Sequence, residues 1–393
     1  MNPSIYLDNS ATTRPDPLVL EAMLAALRDT FGNASSIHTF GQRARAAVEE
    51  ARRSLAVLLG ADTREIVFTS GGTEADNAAL WGLWLAPGRR GNHIITTRIE
   101  HPAVLATSKA LQALGAEVTF LPVESSGSVD PAAVEAAITD RTILVSVMHA
   151  NNETGVVQPI NEIAALARAR QIPFHTDAVQ STGKIPVDVR ELGVDLLSLS
   201  AHKFHGPKGV GALFVRRGLQ MSPFMTGGSH ERKRRAGTEN VPGIVGLGAA
   251  ARLALERLPE MAGRVTRLRD RLEAQVRARV GGISVNGGGQ RLPTVTNVSF
   301  EKLEGEAAVI ALDLEGVAVS TGSACSSGSL EPSHVLVAMG LRPEVVQGSL
   351  RFSLCYHTTE DEVDRAVAAL VKVTGRLRGL SRREPGHAGE ARR

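Results

Sequence analysis

Short apolar runs rich in β-branched residues alternate with helical patterns along most of the chain. Clear examples of such runs are residues 66–69, 142–148 and 210–215, which carry few charges. Strands that read in this way are typical of a sheet that is covered by helices on both faces. The alternation therefore predicts an α/β fold with a mostly parallel central sheet flanked by helices.

Local signals mark the boundaries of several helices. Asp130 and Pro131 predict an N-cap and the first helical residue, and Thr359 and Glu362 form a capping box before the last helix. A long helical region is predicted from about 241 to 279, with a break near Pro259. The other predicted helices are residues 74–86, 160–170 and 306–314, and the other predicted strands are residues 173–176, 195–199, 294–300 and 350–355.

The chain is too long for one simple core. It has 393 residues, whereas single hydrophobic cores stop growing at about 250–300 residues. The regular alternation of predicted strands and helices also changes after about residue 257. We predict a large domain over residues 15–257, a smaller α+β domain formed by residues 1–14 and 258–380, and a polar tail over residues 381–393.

Composition argues against several classes of protein. The formal net charge of +3 gives no reason to expect a nucleic acid or a membrane as partner. No apolar run has the length of a membrane span, and the N-terminus shows no targeting signal. The two cysteines, Cys325 and Cys355, argue against a disulfide framework. We therefore expect a cytoplasmic protein.

The segment SAHKFHGPKG, residues 200–209, contains the first candidate for catalysis. Lys203 follows an apolar strand and enters a turn rich in Gly and Pro, where partial desolvation favours the neutral amine needed for a Schiff base. An ordinary loop lysine is the alternative, and Lys208 is a less favoured candidate. His202 and His205 could suggest a metal pair, but no further ligand at suitable spacing completes a site, so we expect no metal.

Asp177 stands at the end of the strand predicted at residues 173–176. An isolated buried carboxylate is costly, so it needs a partner. A protonated pyridine nitrogen would be such a partner, and the charge would keep pyridoxal 5'-phosphate (PLP) working as an electron sink. The alternative is that Asp177 caps the following turn.

The segment SGGTE, residues 70–74, lies between a predicted strand and a predicted helix. Backbone N–H groups and the Thr73 hydroxyl at the start of a helix favour an anion such as phosphate. A simple N-cap turn explains the same residues. The glycine and lysine spacings of dinucleotide-binding and Walker motifs are absent, which argues against a bare nucleotide-binding protein.

Two cysteines invite opposite interpretations. Cys325 lies in STGSACSSGS, residues 320–329, a small, polar and glycine-rich segment that predicts an exposed loop. An exposed cysteine is the better candidate for a nucleophile. Cys355 lies in an apolar strand and fits a small buried hydrophobic residue.

Two further residues have side chains suited to a site. Arg351, in the predicted strand 350–355, could clamp a carboxylate with two parallel hydrogen bonds, and a surface ion pair is the alternative. His101 precedes Pro102 in a turn, where a histidine is more often structural than catalytic.

Together these residues resemble the NifS/IscS-type cysteine desulfurases, in the class V aminotransferase group of fold-type-I PLP enzymes. The resemblance extends from Tyr6 to about residue 370. It implies PLP fold type I, with PLP bound by the large domain and a catalytic-cysteine loop in the small domain. The matching stretches, in chain order, are residues 6–13, 69–77, 151–155, 176–180, 200–209, 235–240, 320–327, 331–333 and 350–352.

The resemblance implies roles around the cofactor. Lys203 is expected to form the Schiff base, Asp177 to pair with the ring nitrogen, and Gln180 to contact the ring hydroxyl. His101 is expected to stack on the ring, with an acid/base role. The expected ligands of the phosphate are Thr73, Ser200 and His202.

The resemblance also assigns residues to the substrate, to the nucleophile and to the partner subunit. Asn152, which also contacts the cofactor, and Arg351 are expected near the substrate carboxylate, and Asn33 near the substrate. Cys325 is expected to be the nucleophile. Thr238 is expected to bind the phosphate in the other subunit, which implies a homodimer.

The expected reaction converts L-cysteine to L-alanine and leaves a persulfide on Cys325. The catalytic-loop sequence is similar to the group that supplies sulfur to iron–sulfur scaffold proteins, although a tRNA-thiolation protein or another carrier stays open as acceptor. Ala34, Ser10 and the pair Ser229–His230 depart from the usual family residues, and the C-terminal tail does not match the family's partner-docking tail.

Alternative functions are a selenocysteine lyase, an aminotransferase and a catalytically silent binding scaffold. The reactive set Lys203, Asp177, His101 and Cys325 argues against a scaffold, and the thiol argues against a plain aminotransferase. The first steps on selenocysteine would be the same, so sequence does not separate that substrate.

Overall fold

A computed structural model describes residues 4–321 and 332–381. The helices are α1 (Pro17–Asp29), α2 (Thr39–Leu59), α3 (Gly72–Trp84), α4 (Pro102–Ala113), α5 (Pro131–Ala137), α6 (Ile160–Ala169), α7 (Val189–Leu192), α8 (Val241–Glu260), α9 (Thr266–Arg279), α10 (Gly305–Leu314), α11 (His334–Ala338), α12 (Pro343–Gln347) and α13 (Glu360–Ser381). The strands are β1 (Ile5–Tyr6), β2 (Ile66–Thr69), β3 (His93–Thr97), β4 (Glu117–Leu121), β5 (Thr142–Ser146), β6 (Phe174–Asp177), β7 (Leu196–Ser200), β8 (Gly211–Val215), β9 (Ile283–Asn286), β10 (Val295–Phe300), β11 (Val317–Ala318) and β12 (Ser349–Ser353).

The largest sheet has the strand order β2-β8-β7-β6-β5-β3-β4. Strand β8 runs antiparallel to both of its neighbours, β2 and β7. The pairs β7–β6, β6–β5, β5–β3 and β3–β4 are parallel. Every strand of this sheet except β8 therefore runs in one direction, which confirms the predicted mostly parallel central sheet.

Helices cover both faces of this sheet because its strands are apolar on both sides. Ile94 and Leu144 belong to the hydrophobic cluster with α3 and α4, whereas the next residues, Ile95 and Val145, belong to the cluster with α2, α6 and α8. Neighbouring residues of a strand point to opposite faces. The strands lack the polar alternation of a half-exposed sheet for this reason.

A second, antiparallel sheet has the order β12-β10-β9. It shares a separate hydrophobic cluster with α9, α10 and α13. The N-terminal strand β1 joins this part of the chain by pairing with β11, and Asp8 forms a bridge to Ser353. The domain boundaries placed after residues 14 and 257 remain predictions.

The α-helix is interrupted near Pro259, as predicted, but the helical path continues. Helix α8 continues through Pro259 to Glu260, and a wider π-helical turn over Met261–Val265 follows before α9. Proline lacks the N–H that an α-helix uses, and a π turn accommodates an altered hydrogen-bond pattern without ending the helical path.

The predicted helix caps are confirmed. The Asp130 side chain accepts from the N–H of Ala132 at 2.9 Å at the start of α5. Thr359 and Glu362 exchange their bonds before α13, since each backbone N–H donates to the other side chain, at 2.8 and 3.2 Å. No helix in the described ranges has the length and apolar character needed to cross a membrane.

Candidate active site

A cavity with about 710 Å³ of empty space opens at the carboxyl edge of the central sheet. Ligands of open α/β sheets bind at this edge, where the strands deliver side chains from several loops. The lining residues are Ser10, Gly72, Thr73, Asp76, His101, Met148, Ala150, Asn152, Asp177, Val179, Gln180, Ser200, His202, Lys203 and Arg351.

Most of the residues proposed from sequence meet in this cavity. They are Thr73, His101, Asn152, Asp177, Gln180, Ser200, His202, Lys203 and Arg351. Asn33 is exposed on the loop after α1 and does not line the cavity, and Thr238 lines a different depression beside Gly209 and Glu239. Cys325 lies outside the described residues.

Lys203 enters the cavity from the short 3₁₀ turn that follows β7. Its Nζ donates to the backbone carbonyls of Ser10 and Ala11 at 2.7 and 2.9 Å. The N-terminal segment thus helps to position this amine. Lys208, the less favoured lysine, is exposed and does not line the cavity.

Asp177 is buried at the end of β6, and both interpretations of it apply. Its Oδ1 accepts from the N–H of Val179 at 2.8 Å, so it caps the turn, and its side chain also lines the cavity. Burial raises the pKa of Asp177 to about 6, although the Val179 N–H and the charge of Lys203 act in the opposite direction. A cation in the cavity would favour the ionised carboxylate.

Asp76 is a second buried carboxyl group that the sequence did not reveal. Its Oδ1 has no hydrogen-bond partner among the described residues and lies 3.6 Å from Nε2 of His175. Burial and the nearby charge of Asp177 raise its pKa well above the usual value. Asp76 follows Thr73 by three residues in α3, and this spacing puts both side chains on one helix face. This spacing from Thr73 is the feature of the sequence that could have identified Asp76.

His101 is both structural and part of the cavity. It is the N-cap of α4, where its Nδ1 accepts from the N–H of Ala103 at 3.1 Å. Burial, together with the charges of Lys203 and His334, lowers the pKa of His101 to about 4. The imidazole is therefore neutral near pH 7, and its proton is on Nε2 because Nδ1 accepts.

The N-terminus of α3 forms one wall of the cavity. Its N-cap is Gly71, which provides no side-chain cap for the first N–H groups. A Cβ at Gly72 would lie 2.6 Å from Val179 Cγ2, so only glycine allows this close approach. The hydroxyl groups of Thr73 and Ser200 line the same cavity. Such an arrangement of N–H groups, helix dipole and hydroxyls suits an anion.

Arg351 lies on β12, is only 1% exposed, and is not the surface residue of the alternative interpretation. It donates from Nη2 to Asp8 Oδ1 at 2.8 Å and from Nη1 to the carbonyl of Asn152 at 3.1 Å. Its buried Nε finds no hydrogen-bond partner in the described parts of the chain. This free donor suits an anionic ligand such as a carboxylate.

Two histidines of the turn after β7 also make local hydrogen bonds. His205 Nδ1 contacts the carbonyl of Arg14 at 2.9 Å, and His202 Nδ1 contacts Thr12 Oγ1 at 3.1 Å. Across residues 4–321 and 332–381, no group of three or more His, Cys, Asp or Glu side chains could hold a metal ion. Cys355 is buried, and burial raises the pKa of its thiol.

Known proteins resemble this chain over nearly its whole length. The family described as Aminotransferase class-V matches residues 5–366. A cysteine desulfurase from Nostoc sp. strain PCC 7120 is 53% identical over 379 residues, covering 96% of this chain and 94% of the relative. The cysteine desulfurase IscS of Dictyoglomus turgidum is 50% identical over 382 residues, covering 97% of each protein.

Solved structures show the same likeness. A NifS-like protein superposes with a TM-score of 0.89 at 39% identity, covering 95% of this chain and 99% of that one. SspA in complex with cysteine superposes with a TM-score of 0.80 at 39% identity, covering 89% of this chain and 99% of that one.

Proposed function

This chain belongs to the class-V aminotransferase family and to its cysteine desulfurases, and we propose that it uses PLP to move sulfur from L-cysteine onto Cys325. The observation that carries the proposal is one cavity shared by Lys203, Asp177 and Arg351. These three side chains offer an amine, a buried carboxylate and a buried guanidinium for the cofactor and the amino acid. L-Alanine is the second product.

The residues present fit PLP at both of its ends. A protonated ring nitrogen beside Asp177 would relieve the unfavourable burial that raises the pKa of this carboxyl group to about 6. The phosphate suits the N-terminus of α3 with Thr73, together with Ser200 and His202 from the turn after β7. When bound, the cofactor supplies an electron sink for the charge that develops on the substrate.

The other cavity residues hold the cofactor and the substrate. Lys203 would attach the cofactor, Gln180 would contact its ring hydroxyl, and the neutral imidazole of His101 would pack on its ring. Arg351 binds the substrate carboxylate through its free Nε–H, with Asn152 beside it. Lys203 Nζ accepts the proton that leaves the substrate α-carbon.

Cys325 provides the nucleophile. Its thiolate forms a sulfur–sulfur bond with the substrate while the carbon–sulfur bond breaks, and the electron pair of the broken bond stays on carbon. Protonation of that carbon, together with return of a proton to the α-carbon, gives L-alanine, and a persulfide remains on Cys325. The described residues on either side of positions 322–331 contact Arg351, which lines the cavity, and Glu153, which follows Asn152. Ser320 pairs with the backbone of Arg351, and Ser333 donates to buried Glu153.

A second copy of the chain completes the site in this proposal. Asn33 and Thr238 lie away from the cavity of their own chain, and we assign Thr238 to the phosphate in the partner. Exposed apolar side chains offer a surface for self-association. They belong to α1, the segment after it and the first turn of α2, and include Leu24, Leu27, Phe31, Ile37 and Phe40.

A protein acceptor takes the sulfur from Cys325. The IscS name of one relative supports an iron–sulfur scaffold as this acceptor, and we place the reaction in the cytoplasm. A tRNA-thiolation protein would be a different acceptor for the same persulfide. Incubation of the persulfide form with each purified class of acceptor separates these possibilities.

The first test is an absorbance spectrum of the PLP-reconstituted protein before and after addition of L-cysteine, with alanine and reducible sulfur assayed. We expect a visible cofactor band that changes with L-cysteine, and equal amounts of the two products. A protein that takes up no PLP contradicts the cofactor proposal. A protein that binds PLP but is inert to L-cysteine contradicts the substrate.

The role of Cys325 is tested by Cys325→Ala, with Cys355→Ala as the matched control. Cys325→Ala should keep the cofactor band and lose the persulfide and sustained turnover, because PLP binding does not need the thiol. Cys355→Ala should still form the persulfide and sustain turnover, since Cys355 is buried and does not line this cavity. Full alanine formation by Cys325→Ala would exclude this thiol as nucleophile.

A further inference from the structure

Lys184 is a buried lysine that the reaction proposed above does not use. Only 4% of it is exposed, and its Nζ donates to Oε1 of Gln180 at 2.7 Å. It lies on a small second cavity behind Lys203 rather than on the cavity proposed for the substrate. Within the described ranges it has no carboxylate partner for an ion pair. Burial of a lysine without a counter-charge lowers the stability of the folded protein, so its presence requires an explanation.

The contacts of Gln180 allow only one orientation of its amide group. The ammonium form of Lys184 can only donate, so it must face the amide oxygen. The backbone carbonyl of Ser10 can only accept, and it receives a bond of 3.0 Å from Nε2 of Gln180. A rotated amide would place two donors together on one side and two acceptors on the other. Lys184 and Ser10 together therefore determine where the N–H groups of Gln180 lie.

The same carbonyl links Gln180 to the proposed attachment lysine. Ser10 O accepts from Lys203 Nζ at 2.7 Å as well as from Gln180. The amide nitrogen has a second N–H beyond the one that Ser10 receives, and Gln180 lines the cavity. That second N–H is thus available to an oxygen of a bound molecule.

We propose that Lys184 is a positioning residue, which orients the amide of Gln180 so that it donates to the ring-hydroxyl oxygen of the bound cofactor. The inference rests on the proposed function, because it needs a cofactor with an ionisable ring hydroxyl. A donor stabilises the ionised form of that oxygen. A turned amide would present its own oxygen and destabilise it.

Lys184 can donate to Gln180 in either charge state, and only the ammonium form is unable to accept in return. Burial, followed by the positive charges of Lys203 and Arg351, lowers the pKa of Lys184 to about 7. Both the ammonium and the neutral amine carry N–H groups that Gln180 can accept. A rival explanation is that Lys184 acts on the cofactor directly, by its charge, and such an effect would not require Gln180.

A double-mutant cycle separates the two explanations. The proteins are the wild type, Lys184→Met, Gln180→Met and the double variant, each loaded with PLP, and exposed Lys208→Met is the control. One readout is the pH midpoint at which the visible band of the bound cofactor changes. The other is the dissociation constant of PLP from an equilibrium titration.

We expect Lys184→Met and Gln180→Met each to raise this midpoint by about one pH unit, the size of one hydrogen bond to a charged oxygen. The ring oxygen becomes more basic without its donor and holds the shared proton more tightly. The double variant should shift no further than Gln180→Met, and Lys208→Met should match the wild type. PLP binding should weaken severalfold in the single variants at positions 184 and 180.

Additive shifts in the double variant, or an unchanged midpoint in Lys184→Met, would overturn the inference. If Lys184→Met does not fold, Lys184→Gln replaces it in the cycle, because its amide keeps a donor for Gln180. Its midpoint should stay closer to the wild type than to Gln180→Met, and the reverse order also overturns the inference. A wild type that develops no visible band with PLP contradicts the proposed function instead.

Discussion

Asp177 meets opposite demands from the fold and from the cofactor. Burial raises its pKa from the usual 3.8 to about 6. Because the pKa in the folded chain lies above that in the unfolded chain, the folded state binds the proton more tightly. The cofactor-free protein therefore loses stability as pH rises from about 4 to about 6, and the loss persists at higher pH. A protonated ring nitrogen next to the carboxylate would restore that stability.

The change Asp177→Asn tests this conflict. The neutral amide keeps an oxygen for the Val179 N–H but has no charge to desolvate. Without cofactor, the variant should unfold at a higher temperature than the wild type at pH 7.5, and the difference should shrink toward pH 4.5. It should also bind PLP at least about tenfold more weakly, because one pKa unit of lost charge stabilisation corresponds to a factor of ten.

Thermal unfolding across this pH range and a PLP titration measure both effects. The prediction fails if the cofactor-free wild type equals or exceeds the variant in stability at pH 7.5.

At the scale of elements, one buried ion pair ties helix α2 to strand β2 and to the segment that precedes Thr238. Arg52 donates to both oxygens of Glu231 at 2.8 Å, and Glu231 also accepts from the N–H of Phe68 at 2.9 Å. The turn Glu231–Lys233 has φ angles of 42°, 56° and 67°, a left-handed backbone that is unfavourable for residues other than glycine. The ion pair anchors this strained turn.

Arg52→Met should therefore lower the free energy of unfolding by about 3–5 kcal/mol, because it leaves the Glu231 carboxylate buried without its partner. The neighbouring residue provides a matched control. Arg53 pairs with Glu50 on the exposed face of the same helix, and Arg53→Met should have only a small effect. Urea denaturation of both variants measures the difference, and equal losses would show that the buried pair is not the anchor.

Local chemistry explains which elements were predictable from sequence. The caps at Asp130 and Thr359 depend on a few neighbouring residues, and the structure has both. The path after Pro259 depends on how the next turn repairs a missing hydrogen bond, and the sequence pattern does not specify this. The sequence did not predict Asp76 as a site residue for a related reason. A polar residue in a helical pattern reads as exposed unless the packing of that helix is known.

At the scale of the molecule, the cavity combines residues that are far apart in the chain. Ser10 comes from the N-terminal segment, Asp177 from the central sheet and Arg351 from the second sheet, where Arg351 donates to Asp8. The resemblance to a family identified most of them, because strand ends and glycine turns gave each one a recognisable local pattern. It could not show that Asn33 lies outside the cavity of its own chain, since that depends on tertiary contacts.

The proposed homodimer makes a specific prediction about mixed subunits. In a heterodimer of a Lys203→Ala chain and a Thr238→Ala chain, one site would have both defects. The other would have Lys203 from its own chain and Thr238 from the partner, and would be intact. Such a heterodimer should show about half of the wild-type activity per dimer, because a two-fold dimer has two equivalent sites.

Co-expression with two different affinity tags yields this heterodimer, and the pairing of Lys203→Ala with the wild type gives the reference for one intact site. Both homodimers of the single variants should be far less active, the first from loss of the attachment lysine and the second from loss of a phosphate ligand. If Thr238 instead served its own chain, each site of the heterodimer would carry one defect. Activity would then stay no higher than that of the Thr238→Ala homodimer, and the shared site would be ruled out.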